Sequence, residues 1–439
     1  PPADPAPPSG ATATLCVRLL PSDPVPAAAD RVVTLFAPEG GSGDDAGWGF
    51  EPGALGRSHG LIERIGDLLD EGEIARVIAP SSDGEDDCRA AAFAVASAAS
   101  VRSVELAFGE GDFAPAADAW RALAREARAA RQGEPTATAV ISAWNKREDV
   151  RANLLGIRAQ TRPFDDVVVV DNHSKDGTPE MIRADFPEVR LVVMPNSDYG
   201  ACETFNVGFS TALTDTVAIL DDDVVLTPWW LERTLARMGD EPETTAVVST
   251  KVVEPGMPDS YRDSEAVNTE RYISTFRGCA SLAKKKALDE AGGYDERLFI
   301  YGNERDLTCR LLNLGYRVLQ FPGAETWHRT PFGVQMGKRS LFYHARNAWL
   351  GMLKYAPAKD LLKLPFLIVT KVLFRSSKKE ESGEINVAVG TIGIGKSIKN
   401  TKGAWWVLTK AAFSVLYNVP YCLKRREPVR APDFELPIE

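Results

Sequence analysis

Short apolar runs alternate with amphipathic stretches between residues 136 and 253. Residues 140–144, 166–170, 190–194, 216–220 and 246–253 read as strands. Residues 148–160, 179–186, 201–213 and 229–238 read as helices between them, because their apolar positions recur every three or four residues. Residues 166–170 (DVVVV) form a continuous β-branched run, the pattern of a strand covered on both faces. Strand–helix alternation at this spacing predicts a doubly wound, mostly parallel α/β sheet. Such sheets take ligands outside the carboxyl ends of their strands.

The pattern before residue 136 is shorter. Residues 31–36, 76–79 and 104–108 read as strands, and 61–70, 88–99 and 116–131 as helices, with Pro115 starting the last. These predict a small α/β accessory domain over 11–131 behind a disordered leader at 1–10. Residues 132–135 form a linker to a second folded unit over 136–350. Further on, residues 361–374 and 405–423 are apolar, with Lys363, Lys371, Lys402, Lys424 and Arg425 along or beside them. Residues 351–439 therefore read as an amphipathic helical region, for which a membrane surface and packing on the protein are competing roles. No stretch reaches the roughly 20 apolar residues of a spanning helix.

A chain of 439 residues suits two or three folded units. The net charge of -10 gives no footprint for nucleic-acid binding. Six cysteines lie scattered without a CxxC pair, so neither a zinc site nor a disulfide framework is expected. Reduced thiols, and no signal-peptide pattern in residues 1–10, point to the cytoplasm.

The sharpest chemistry is Asp221-Asp222-Asp223, directly after the fourth strand. Adjacent carboxylates repel by roughly 1 kcal/mol per close pair even in water. Oxygen ligands of this type suit Mg²⁺ or Mn²⁺ carrying a diphosphate; the bland reading is a solvated acidic turn. In extended backbone Asp221 and Asp223 share one side and Asp222 faces away. Polar residues follow the other strands too: Asn145, Asp171 and Asn196. Asp171 can accept from a base or ribose donor. Gly200 opens a helix that carries Asn206, and a helix start favours a phosphate, although plain capping explains the same residues. Glu304 and Asp306 begin another helix; Arg310 offers Asp306 an i,i+4 partner, which leaves Glu304 the better general base. His328 follows a strand-like run at 316–321. Residues 390–397 (GTIGIGKS) fit the phosphate-loop pattern, but they lack its strand and helix context and read as a flexible loop.

Taken in order, these motifs resemble the family 2 glycosyltransferases of GT-A fold, in their rhamnosyltransferase-like and galactofuranosyltransferase-like bacterial branch. The resemblance rests on Ala143-Trp144-Asn145, Asp171-Asn172, Asn196 with Gly200 and Asn206, and the LDDDV run at 220–224. It continues through Arg277-Gly278-Cys279, Gly292-Gly293-Tyr294-Asp295, the run at 301–310, and His328. The resemblance implies that Trp144 stacks on the nucleotide base where the family often has Tyr. Asp171 would bind base or ribose, and Asp221 ribose or metal. Asp222 would lie on the donor side, and Asp223 and His328 would complete the metal site. Arg277, Gly278 and Cys279 would line the acceptor side. Glu304 falls where the family has the Asp of a Glu-Asp pair, the catalytic base. Asn303 replaces the preceding Glu, which leaves Asp306 as the fallback.

The function implied is an inverting, metal-dependent transfer from a nucleoside-diphosphate sugar to a glycan or lipid-linked acceptor. It would serve cell-surface polysaccharide synthesis, in the cytoplasm or peripherally on the membrane, with homo-oligomers admitted. The rivals are a catalytically impaired nucleotide-sugar-binding scaffold and a sugar-nucleotide pyrophosphorylase. The second is disfavoured because residues 141–147 (ISAWNKR) hold no Gly-rich phosphate segment.

Overall fold

A computed structural model of the chain describes residues 13–18, 29–35, 45–47, 61–71, 74–80, 86–102, 104–109, 114–129, 131, 133–332, 337–367 and 401–431. The leader at 1–10 and the glycine-rich 390–397 segment lie outside the described residues. So do residues 368–374 of the first C-terminal apolar stretch.

The N-terminal unit contains β1 (Ala13–Arg18), β2 (Arg31–Thr34), β3 (Asp45–Gly47), α1 (Leu61–Glu71), β4 (Ile74–Ala79), α2 (Asp86–Ser100), β5 (Glu105–Phe108), β6 (Ala114–Pro115) and α3 (Ala116–Ala129). Its sheet runs β3-β2-β1-β4-β5-β6 and is parallel except for β6. The alanine-rich α2 is buried from Ala90 to Ala99, because small side chains let it approach neighbours on several sides.

The second unit begins with β7 (Ala137–Ala143), α4 (Arg147–Arg158), β8 (Asp166–Asp171), α5 (Thr178–Asp185), β9 (Arg190–Val193), α6 (Ala201–Thr211), β10 (Thr216–Asp221) and β11 (Val224–Leu226). It continues with α7 (Trp230–Gly239), β12 (Thr245–Val253), α8 (Asp259–Arg262), α9 (Glu265–Asn268), β13 (Arg271–Tyr272), β14 (Ala280–Lys284), α10 (Lys285–Ala291), α11 (Asn303–Asn313) and β15 (Arg317–His328). The strand order is β11-β15-β12-β14-β10-β7-β8-β9, with β13 paired to β15. β7, β8, β9 and β10 are mutually parallel, as are β12 and β15, while β14, β11 and β13 run against their neighbours. This is the doubly wound, mostly parallel α/β sheet expected, widened by short strands the hydrophobic pattern did not mark.

The two sheets share one apolar core. Ser97 Oγ in α2 donates to the Leu155 carbonyl in α4 at 2.7 Å, and Trp120 Nε1 in α3 donates to the Arg158 carbonyl at 3.0 Å. α4 therefore serves both units.

Three helices close the described chain: α12 (Lys338–Tyr355), α13 (Ala358–Leu367) and α14 (Ala404–Lys424). α12 runs through residue 350, so the expected domain boundary there falls inside a helix. α14 packs along α12 and, through Val415 and Cys422, joins a second apolar cluster that includes Val140, Phe205 and Leu307. A buried cation fixes this end: Lys354 Nζ in α12 binds Asp295 Oδ2 at 2.8 Å and also Asp306 in α11. Tyr421 in α14 donates to Asp295 Oδ1 at 2.9 Å.

Candidate functional site

β7, β8, β10, β12 and β15 end on one edge of the sheet, where the antiparallel β14 begins. β10 ends at Asp221, and Asp222-Asp223 form a turn that carries the chain to β11 at the far side. There Val224 pairs with His328. This crossing sets Asp223 beside the end of β15, with His328 Nε2 3.1 Å from Asp223 Oδ1. One ligand atom each from Asp221, Asp223 and His328 lie within 4.8 Å of one another. The three sequence-predicted metal ligands thus come together. Glu254, just past β12, accepts from His328 Nδ1 at 2.8 Å and fixes the ring's orientation. Sequence reading missed Glu254, although it too follows a strand end.

The cluster is electrostatically uneven. Burial, then the neighbouring Asp223, push Asp221 up to about 6. Burial pushes Asp222 up to about 7 against the pull of Lys146. Burial works against Asp223 ionising, but hydrogen bonds from His328 and Lys146 hold it far below the usual carboxylate range. Burial would lower His328, yet its bonds to Asp223 and Glu254 prevail and push it up to about 10. Asp221, which resists ionisation, Asp223, which does not, and the His328 imidazole form a donor set that fits a divalent cation.

Asp222 corrects the alternation argument. The strand stops at Asp221, so the side chain does not face away. Asp222 Oδ2 accepts from the Trp144 backbone N–H at 3.1 Å, and Oδ1 lies 3.2 Å from Lys146 Nζ. Lys146 also binds Asp223 Oδ2 at 2.6 Å, alongside Thr330 Oγ1 at 2.6 Å. Lys146 was missed; its only sequence signal is its place after Trp144-Asn145.

The donor-side residues divide. Trp144 is 45% exposed at the end of β7, with the Arg339 guanidinium 5.6 Å from its ring centroid. Ala143 is buried there, and its carbonyl accepts from Asn172 N–H. Asp171 is fully buried; its Oδ2 accepts from Ser174 N–H at 2.8 Å, while Oδ1 has no partner. Burial raises its pKa. An orphaned acceptor at a strand end fits a ribose hydroxyl or base N–H.

The others make local hydrogen bonds. Asn145, in left-handed backbone at φ 52°, accepts from Lys175 N–H at 2.8 Å. Asn196 closes a turn by accepting from Asp198 N–H at 2.9 Å. Asn206 exchanges hydrogen bonds with the Tyr294 backbone at 2.7 and 3.0 Å. The start of α6 is no phosphate cradle. Gly200 N–H donates to Glu203 Oε2 at 2.6 Å, and Cys202 N–H donates to the Phe299 carbonyl at 3.1 Å. Gly200 is required for that close approach, since a Cβ would stand 2.3 Å from the Phe299 carbonyl oxygen.

Cys279 enters β14 with its carbonyl accepting from Asp221 N–H at 3.1 Å, so the Arg277-Gly278-Cys279 segment borders the acidic turn. Arg277 is exposed, with one guanidinium nitrogen 3.2 Å from Tyr261 Oη. Glu304, at the start of α11, sits over this segment. A Cβ on Gly278 would stand 2.1 Å from Glu304 Oε1. Burial raises the Glu304 pKa, against a 3.0 Å hydrogen bond from Asn303. Asp306 is not the fallback base: it is buried and held by Lys354, by Arg310 at 3.0 Å and by Tyr355 Oη at 3.1 Å.

The loop before Glu304 is strained, with Phe299 at φ 69° and Tyr301 at φ 66°. Asn347 in α12 supports it, donating to the carbonyls of Leu298, Ile300 and Tyr301 at 2.8–2.9 Å. Gly278→Ala is expected to displace the Glu304 carboxylate. A misplacement of about 1 Å costs about 100-fold in rate. Steady-state kinetics should show that loss in kcat with donor KM and thermal unfolding unchanged. An unchanged kcat would separate Glu304 from this segment.

Residues 138–294 match the profile of glycosyl transferase family 2. A probable glycosyltransferase of Bacillus subtilis is 23% identical over 265 residues, covering 55% of this chain and 60% of that protein. The chain thus spans three fifths of that relative's length. An N-acetylglucosaminyl-diphospho-decaprenol L-rhamnosyltransferase of Mycobacterium tuberculosis is 27% identical over 218 residues, covering 39% of this chain and 68% of that protein. Among solved structures, a mannosyltransferase from Pyrobaculum calidifontis in complex with GDP-Man and Mn2+ is 20% identical. That likeness covers 69% of this chain and 86% of the other, with a TM-score of 0.39.

Proposed function

We propose that this chain, which carries a family 2 glycosyltransferase domain, moves a sugar from a nucleoside-diphosphate sugar to a hydroxyl of a glycan or lipid-linked acceptor, inverting the anomeric carbon. One observation carries the reading: the Asp221–Asp223–His328 cluster lies across Gly278 from Glu304, at the edge where this sheet takes ligands. UDP and dTDP are the nucleotides proposed, and Mg²⁺ or Mn²⁺ the cation. The name of the mycobacterial relative supports a lipid-diphosphate-linked sugar as acceptor. A role in cell-surface polysaccharide synthesis at the cytoplasmic face of the membrane is proposed with it.

In this reading Trp144 offers a ring face to the base, and Asp171 Oδ1 accepts from base or ribose. Asp221, Asp223 and His328 hold the cation, with Glu254 fixing the imidazole. When bound, the cation supplies Lewis-acid neutralisation of the leaving diphosphate. Glu304 takes the proton of the attacking acceptor hydroxyl. The displacement is single, so no enzyme nucleophile is needed.

The test is a donor screen that reads released nucleoside diphosphate, with added metal and with chelator. Release from a UDP- or dTDP-sugar that stops with chelator is expected. Formation of nucleoside triphosphate and sugar 1-phosphate when pyrophosphate is added to the donor would mark a pyrophosphorylase. Donor binding without turnover on any acceptor would mark a scaffold.

A further inference from the structure

We propose that the outward face of α14 docks on an anionic lipid surface. The inward stripe of this helix, Ala404, Val407, Ala411, Val415, Asn418 and Cys422, is buried. The opposite side carries Trp405, Trp406, Phe413, Leu416, Tyr417 and Leu423, each more than half exposed. An apolar patch of that size on a folded surface marks an interaction site.

Charge selects the occupant. Between residues 401 and 425 stand Lys402, Lys410, Lys424 and Arg425, with no Asp or Glu, while Arg426 turns inward to the Leu353 and Ala356 carbonyls. Lys410 Nζ lies 5.4 Å from the Trp406 ring centroid, so cation and aromatic ring share the exposed side. Exposed tryptophan and tyrosine with flanking lysines suit the headgroup layer, where rings bury their apolar edges and cations meet phosphates. A second copy of the chain would set these cations against their own kind. Insertion across the bilayer is not the mode: among the described residues no helix is long and apolar enough to cross a membrane, and one side of α14 is already committed to α12.

Docking on α14 would hold the site rigidly to the surface. Arg297 donates to Asn418 Oδ1 at 3.2 Å, Arg346 to Ser414 Oγ at 3.0 Å and Tyr421 to Asp295 at 2.9 Å. The Arg297 and Asp295 bonds tie α14 to the turn that precedes Glu304, and the Arg346 bond ties it to α12. The docking itself does not depend on the proposed transfer activity.

The experiment co-sediments the full chain with phosphatidylglycerol vesicles and with phosphatidylcholine vesicles at low salt. Binding to the former only, weakening as salt screens the charges, is expected. The combined variant Trp405→Ser, Trp406→Ser, Phe413→Ser and Tyr417→Ser should fall to background. Lys410→Gln and Lys424→Gln should each weaken binding about fivefold. All variants should keep wild-type circular dichroism, since the replaced side chains face outward. Three results would overturn the proposal: no binding to phosphatidylglycerol at low salt, equal binding to phosphatidylcholine, or binding retained by the four-serine variant. A dimer in sedimentation velocity that the same variant dissolves would also overturn it, by giving the face to a second copy.

Discussion

Glu304→Gln is expected to slow sugar transfer by about 10²- to 10⁴-fold, the contribution of a positioned general base. The substitution keeps the side chain's length and leaves an oxygen to accept from Asn303, so the start of α11 should hold its shape. Only the proton acceptor is lost. Nucleotide affinity should be unchanged, because Trp144, Asp171 and the acidic turn are untouched. Wild-type rate should also fall on the acid side. Burial raises the Glu304 pKa, so its carboxylate gains a proton at a higher pH than an exposed glutamate would. kcat should therefore climb as pH rises through that raised value, then level. Steady-state kinetics and donor titration across pH check both statements. Full turnover by the glutamine variant would sink the assignment.

Much of the catalytic sheet was legible in the chain. Continuous β-branched strands such as 166–170 and helices with clear periodicity leave strong local signals. The short strands did not. β11 has three residues and β13 two; their pairing with β15 is set by tertiary contacts, not by a local pattern. Yet β11 brings Asp223 to His328, so the metal cluster depends on an element that the hydrophobic pattern hides. The same gap explains Asp222. Alternation applies along a strand, and the strand had ended one residue earlier. Asp306 shows a different limit: its i,i+4 partner Arg310 was visible, but Lys354 lies 48 residues away and only the packed helices reveal it. Asn206 and Gly200 resembled ligand-side residues because they sit near the site in sequence order. Their hydrogen bonds and close contacts serve the turn and loop ahead of Glu304.

Asp223→Ala is expected to weaken metal-dependent nucleotide binding by at least about 100-fold. Loss of a residue that only orients a ligand costs 10- to 100-fold, and Asp223 is placed to be a ligand itself. It also takes part in the contacts that hold His328, Lys146 and Thr330 in place. The pH dependence of binding discriminates further. Metal ligands must be deprotonated, so binding expels any proton they carry, and affinity rises with pH until they are all free of protons. In the wild type, Asp221 near 6 and His328 near 10 hold protons without metal, and affinity should keep climbing across that interval. Removing Asp223 deletes one of the two bonds that raise His328 and the largest of the charges that, added to burial, raise Asp221. Both groups then lose their protons at lower pH. The residual affinity of the variant should therefore level off earlier on the pH axis than that of the wild type. Mn²⁺ and UDP titrations followed by isothermal titration calorimetry across pH read both quantities. A variant with wild-type affinity would remove Asp223 from the metal site, and a weak variant with an unshifted pH profile would leave Asp223 a ligand but break its link to His328.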